Sequence, residues 1–448
     1  MKKSSLTEGN IGQALLFFVL PIIAGSLIQQ LYTTVDAVIV GQFTGKTGLA
    51  AIDSVYTLFK FPINFMNGLA AGATIIISGY FGAKEKEGLH CAVRTALLVA
   101  FFLGIICSVG GVLLTPWLLQ IMSVPEEVRA GSLIYCRIYF AGLWAMILYN
   151  MMAGILRAFG DSKKPLYVLV ICAVVNVVGD LLLVGAFHMG VGGAAAATVL
   201  SQAVSAIVMW ILLTKADFLE GNISIEKMRV CKEHMWLMIQ KGFPLALQST
   251  LFPIANSIVQ ASVNTMGTDS IAAWGICDKL DLLIWLIADS MGPALTTYTA
   301  QNIGAGKNGR AKKGALVGTG ISVLAVGLIS VVLYFGSGVI GPWFIAKKDV
   351  DSLIPLVVRY MRMMAPFFVF YAVAEAYSGA CCGLGETLSP MITTLLTICL
   401  FRVVAIFVLL PKFGTMECIV RIYIASWILA GCAFVVLYSV KERKLHKV

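Results

Sequence analysis

The chain has 448 residues, of which 59% are hydrophobic and 12% charged, whereas a soluble protein carries about 25% charged residues. With a mean hydropathy of +0.89, this composition excludes a disordered chain, a fibrous repeat and an ordinary soluble enzyme. The net charge of +10 is the Lys and Arg excess that membrane proteins collect in cytoplasmic loops, so no nucleic-acid partner is expected.

A helix needs about 20 apolar residues to cross a bilayer. Polar and glycine-rich breaks divide the chain into twelve candidates: 11–40, 52–81, 93–120, 132–157, 165–187, 192–214, 238–264, 274–303, 314–340, 354–382, 390–411 and 417–440. The first run is too long for a cleaved signal and is expected to stay as the first helix. Backbone groups cannot be left unpaired in lipid, so the spans are helices. Long apolar runs without strict alternation exclude a barrel. With the N-terminus inside, 21 Lys and Arg fall on the cytoplasmic side, among them Lys84, Lys86, Arg157, Lys227 and Arg310, and 6 on the other. Both termini are therefore expected in the cytoplasm.

The longest polar loop, 215–237, divides the chain into an N-terminal six-helix lobe, 1–214, and a C-terminal one, 238–448. The halves repeat in register. Pro21 answers to Pro244, Leu49-Ala50-Ala51 to Ile271-Ala272-Ala273, and Gly82-Ala83 to Gly304-Ala305. Gly160-Asp161-Ser162 with Pro165 answers to Gly385-Glu386-Thr387 with Pro390. The expected fold is an all-α membrane protein of twelve transmembrane helices in two lobes related as parallel repeats, a transporter signature.

Ionisable residues inside spans are costly and are functional candidates. Asp36 lies late in the first span, Asn176 and Asp180 share a face of the fifth at four-residue spacing, and Thr198 lies early in the sixth. At 1.5 Å per residue, Asp180 is about 10 Å, Thr198 about 9 Å and Asp36 about 6 Å from the outer ends of their spans. All four can meet at one level. These hard oxygen groups could coordinate a dehydrated cation, or the two carboxyls could share a proton. At the repeat offset, Asn176 maps to Phe401 and Asp180 to Ala405, so this chemistry is confined to the first lobe. The second lobe carries Asp278, Lys279, Asp281, Asp289, Glu375 and Arg402, with an Arg402–Glu375 pair open as a structural alternative.

Gln29 and Tyr32 precede Asp36 by seven and four residues and line its face. Tyr135 and Tyr139, spaced likewise in the fourth span, are candidates to stack on apolar cations, and Glu375 is a further cavity candidate. Pro21 kinks the first helix and frees a carbonyl, making it the candidate bending point. The 11 cysteines contain no Cys-x-x-Cys and read as packing residues in a reducing compartment. The four histidines form no metal pattern and there is no Gly-x-Ser-x-Gly, so an enzyme is not expected.

Over nearly its whole length the chain resembles the multidrug and toxic compound extrusion (MATE) family. The resemblance rests on the two six-helix lobes, on Pro21…Asp36…Gly41, on Leu156-Arg157-Ala158-Phe159-Gly160-Asp161 with Pro165, and on Asn176-x-x-x-Asp180 followed by Thr198. It implies an antiporter of the bacterial inner membrane that expels amphipathic, often cationic compounds against H⁺ or Na⁺, without a cofactor and as a monomer in the lipid bilayer. It also implies that Asp36, Asn176, Asp180 and Thr198 form the cation or proton site, a metal site only if Na⁺ is the ion, and that Gln29 and Tyr32 line the N-lobe substrate cavity. Branches of the family with a glutamate in the seventh helix differ, since Pro244 to Asn256 contains none. The alternative is a lipid-linked precursor flippase of the same superfamily.

Overall fold

The computed structural model describes residues 6–216, 219 and 229–445, with side chains as far as 443. Part of the loop expected at 215–237, with Lys227, and the terminal residues Lys2, Lys3 and Lys447 lie outside the described residues. No strand occurs among the described residues. The helices are α1 (Ile11–Asp53), α2 (Tyr56–Ala83), α3 (Lys86–Ile121), α4 (Glu126–Ala158), α5 (Lys163–Ala186) and α6 (Gly190–Thr214). They continue as α7 (Lys232–Val263), α8 (Thr268–Leu280, then Leu282–Gly304), α9 (Asn308–Ile340), α10 (Lys347–Gly383), α11 (Leu388–Phe413) and α12 (Met416–Leu445).

Each of the twelve expected spans is thus met by helix. Ten are long and apolar enough to cross a membrane. The other two are α7, whose apolar run is diluted by Gln240, Lys241, Gln248 and Asn256, and α8, which is interrupted at Asp281. The first helix runs past its expected end at residue 40 to Asp53, through a non-helical Gly45.

The repeat is written into the backbone. Left-handed residues recur in pairs: Gly45 with Gly267, Lys84 with Gly306, Gly160 with Gly385, and His188 with Gly414. The separations, 222 to 226 residues, are those of the sequence repeat. Such φ values suit glycine, and Lys84 and His188 hold them at equivalent turns with other side chains.

Packing groups the chain into two compact units, one of residues 20–246 and the other of 1–19 with 247–448. The equivalent helices α1 and α7 are each divided close to their equivalent prolines, Pro21 and Pro244. In the first unit α4 is central, packed against α2, α3 and α6. Gly68 and Gly72 of α2 lie so close to the main chain of α7 at Ala246 and Gly242 that a Cβ at either would overlap it. In the other unit α10 is central, against α8, α9 and α12, and Gly379 has the same relation to the backbone of Gly292. Its core is aromatic: Trp285 packs edge-on to Tyr371 at 4.6 Å and Trp427 lies 5.2 Å from Phe368. The chain start is tied into this unit. Leu6 is 1% exposed, its carbonyl accepts from Asn302 at 3.2 Å, and Arg310 donates to the carbonyls of Glu8 and Gly9 at 2.8 Å.

Candidate functional site

The site in the first unit begins with α5. Asn176 and Asp180 fall one turn apart on the same face and are 1% and 0% exposed. Gly179 lets α6 approach closely, since a Cβ there would stand 3.0 Å from the Ala197 side chain. That approach brings Asn176 Nδ2 within 3.5 Å of Thr198 Oγ1 as donor, while the Thr198 hydroxyl donates to the Ala194 carbonyl at 3.1 Å. Directly after Asp180 the helix widens into a π turn over Leu181–Ala186, a deformation found often at functional sites.

Asp36 comes from α1. Its carboxyl meets that of Asp180 closely enough for one hydrogen bond, given a shared proton. Asp36 Oδ1, both oxygens of Asp180 and Asn176 Oδ1 are buried with no hydrogen-bond donor among the described residues. Buried acceptors are almost always paired, and two adjacent buried carboxylates repel. The arrangement therefore lacks positive charge, and either a proton or a cation ligated by hard oxygens would supply it. The four residues expected at one depth are brought together.

The expected lining residues divide into three groups. Gln29 and Tyr32 line a cavity of about 170 Å³ in the first unit, and Tyr32 is also within electrostatic range of Asp36. Pro21 lies at the same cavity wall. Tyr135 and Tyr139 stack on each other, with centroids 5.8 Å apart, and Tyr139 lies 4.2 Å from Phe59. They are near the Asp36 carboxyl but are not among the residues lining that cavity. Glu375 belongs to the other unit, with its carboxyl beside Gly292.

Sequence reasoning missed several cavity residues. Asn67, Asn150, Gln202 and Arg157 share the wall, and the sequence offers Arg157 only as a topology-setting charge and as part of the Leu156–Asp161 motif. A signal was present: Met146, Asn150, Ala153 and Arg157 recur at helical spacing on α4. Arg157 is the one charged side chain in that lining.

The polar residues of the other unit are organised differently. Tyr371 donates to Asp289 Oδ1 at 2.8 Å. Arg402 donates from Nε to Ser426 at 2.8 Å and from Nη1 to Asn256 at 3.2 Å, with its guanidinium 4.0 Å from the Tyr423 ring centroid. The Arg402–Glu375 ion pair does not form, because these partners hold the guanidinium on α7 and α12. Phe401 and Ala405 stand where Asn176 and Asp180 have their repeat positions.

The family model described as MatE matches residues 21–182 and 244–408, once in each half. Among curated proteins, the probable multidrug resistance protein YoeA of Bacillus subtilis is 28% identical over 409 residues, covering 90% of this chain and 88% of its own. A protein named FAD transporter from Shewanella oneidensis is 25% identical over 322 residues, 70% of each chain. Among solved structures, one described as an outward-facing conformation of a multidrug resistance MATE family transporter superposes with a TM-score of 0.90 at 21% identity, covering 100% of this chain and 99% of that one.

Proposed function

The chain belongs to the MatE family, and from that premise we propose that this multi-pass membrane protein is a secondary active exporter of amphipathic, often cationic small molecules, driven by inward H⁺ or Na⁺. The observation that carries the reading is the cluster of buried oxygens at Asp36, Asn176 and Asp180 that lacks a donor. An ion-coupled carrier needs a buried site whose charge changes with occupancy. If the ion is Na⁺, Asp36, Asp180, Asn176 and Thr198 hold it through their oxygens. If it is H⁺, the two carboxyls share it.

Coupling is by competition. The loaded site is neutralised, α1 bends near Pro21, and the cavity lined by Gln29 and Tyr32 loses its affinity for substrate. The ion leaves when the lobes alternate to the inward-facing state. A substrate shifts this equilibrium only through its differential affinity for the two states. The proposed setting is the bacterial inner membrane with both termini cytoplasmic; the distribution of Lys and Arg supports that orientation. The relatives named as multidrug resistance proteins support the substrate class.

A second reading, export of a carboxylate- or phosphate-bearing aromatic compound, is favoured by Arg157 in the cavity wall. Ethidium transport in proteoliposomes, under a pH gradient alone and then a Na⁺ gradient alone, tests the first reading and identifies the ion. A flavin dinucleotide arm tests the second. Wild-type, gradient-driven efflux by Asp36→Asn overturns the coupling mechanism.

A further inference from the structure

None of Cys91, Cys231 and His234 lines the cavity described above. Cys91 is in the second turn of α3, Cys231 immediately precedes α7, and His234 is in the first turn of α7. Their ligand atoms, two sulfurs and one ring nitrogen, all lie within 4.8 Å of one another. The sulfurs of Cys91 and Cys231 meet, with their Cα atoms 6.2 Å apart. Thr95, four residues after Cys91 on the same face of α3, accepts a hydrogen bond from the Cys231 N–H at 3.0 Å. The Tyr80 ring lies 5.3 Å from that of His234, tilted 35° to it.

The histidine makes this more than a cysteine pair. Both Nδ1 and Nε2 of His234 are buried with no hydrogen-bond partner among the described residues. A neutral imidazole always has one N–H to give and one lone pair to receive, and leaving both unmade inside a protein is costly. A disulfide between the cysteines would leave the ring unserved. A metal ion held by both sulfurs would take its lone pair.

We propose that Cys91, Cys231 and His234 form a zinc-class metal site that clips the chain entering α7 to α3. Two thiolates and one imidazole are a donor set that zinc favours, and two thiolates neutralise its charge. Bonds of about 2.3 Å to sulfur and about 2.0 Å to nitrogen put tetrahedral ligand atoms roughly 3.3–3.8 Å apart. The sulfurs reach that spacing by side-chain rotation, without moving the helices. Three protein ligands leave the fourth position for water. The Lys and Arg distribution puts this end of the protein on the cytoplasmic side, where thiols stay reduced.

The test uses the full-length protein in detergent, loaded with Zn²⁺ and dialysed. The expected result is about one zinc per chain, falling to near zero in Cys91→Ser, Cys231→Ser and His234→Ala. Cobalt in place of zinc should give a sulfur-to-cobalt charge-transfer band in the wild type, a readout that does not depend on how well the variants fold. His234→Ala keeps both cysteines, so zinc lost from it at an unchanged gel-filtration profile separates metal binding from disulfide formation. Zinc absent from the loaded wild type overturns the proposal. So does zinc retained when Cys91→Ser, Cys231→Ser and His234→Ala are combined in one chain, or two additional thiols appearing in freshly purified protein only after reduction, which would mark a disulfide.

Discussion

In one unit, Asp36, Asn176 and Asp180 leave four buried acceptor oxygens without a donor. In the other, Asp289 accepts from Tyr371 and lies within electrostatic range of Glu375, and Arg402 is held by Ser426, Asn256 and the Tyr423 ring while its Nη2 has no acceptor among the described residues. The two units share a duplicated backbone, down to paired left-handed turns at Gly160 and Gly385, yet among the described residues only one holds buried carboxyl oxygens without a donor. A matched buried polar group rigidifies a helix pair, whereas an unmatched one persists where something arrives to match it. The contrast is the basis for proposing ion coupling in the first unit and a scaffolding role for the polar cluster of the second.

The strongest test is to neutralise the unmatched side. Asp36→Asn and Asp180→Asn should each lower gradient-driven efflux by about 100-fold, the upper range of coupling between two sites, while substrate still binds in detergent. Retained efflux in both would break the asymmetry. Next, Arg402→Met should lower stability by about 2 kcal/mol, the scale of a hydrogen bond to a charged group, read as a lower melting temperature with efflux per folded molecule retained. Loss of coupling without loss of stability would move Arg402 to the functional side.

Thr198→Ala sharpens the comparison by identifying the ion. If Na⁺ is the driver, losing this hydroxyl should weaken Na⁺ dependence by about 10-fold, or about 1.4 kcal/mol. With H⁺ as driver, the pH-gradient response should remain near wild type. The smallest effect is expected at Glu375→Gln, within about 3-fold of wild-type efflux, less than about 0.7 kcal/mol. A loss there comparable with Asp36→Asn would mean that both units couple.

Much of this was legible in the residues. Asn176 and Asp180 had to share a face because a helix places residues four apart together, and Thr198 followed from counting depth at 1.5 Å per residue. The repeat was legible because turns favour particular residues, and Gly160 and Gly385 recur where the turn does. The break of α8 at Asp281 was not legible, since Asp278, Lys279 and Asp281 near the start of an apolar run do not by themselves mark a helix end. Nor was the place of Arg157 in the cavity, because a charge near a span end sets topology wherever its side chain points, and only the meeting of residues from α1, α2, α4, α5 and α6 in one wall put it there.

The sequence by itself determined the helical class, the twelve segments, their duplication and the four oxygen-bearing residues of the first lobe. All of these follow from local periodicity and from the cost of unpaired polar groups in lipid. Tertiary structure alone decided which acceptors lack a donor, that Arg402 bonds Asn256 and Ser426 rather than Glu375, and that Cys91 meets Cys231 across 140 residues of chain. The reason is that pairing depends on which helix faces meet. Those contacts are set by close approaches such as Gly179 on Ala197 and Gly379 on Gly292, which no local pattern of residues encodes.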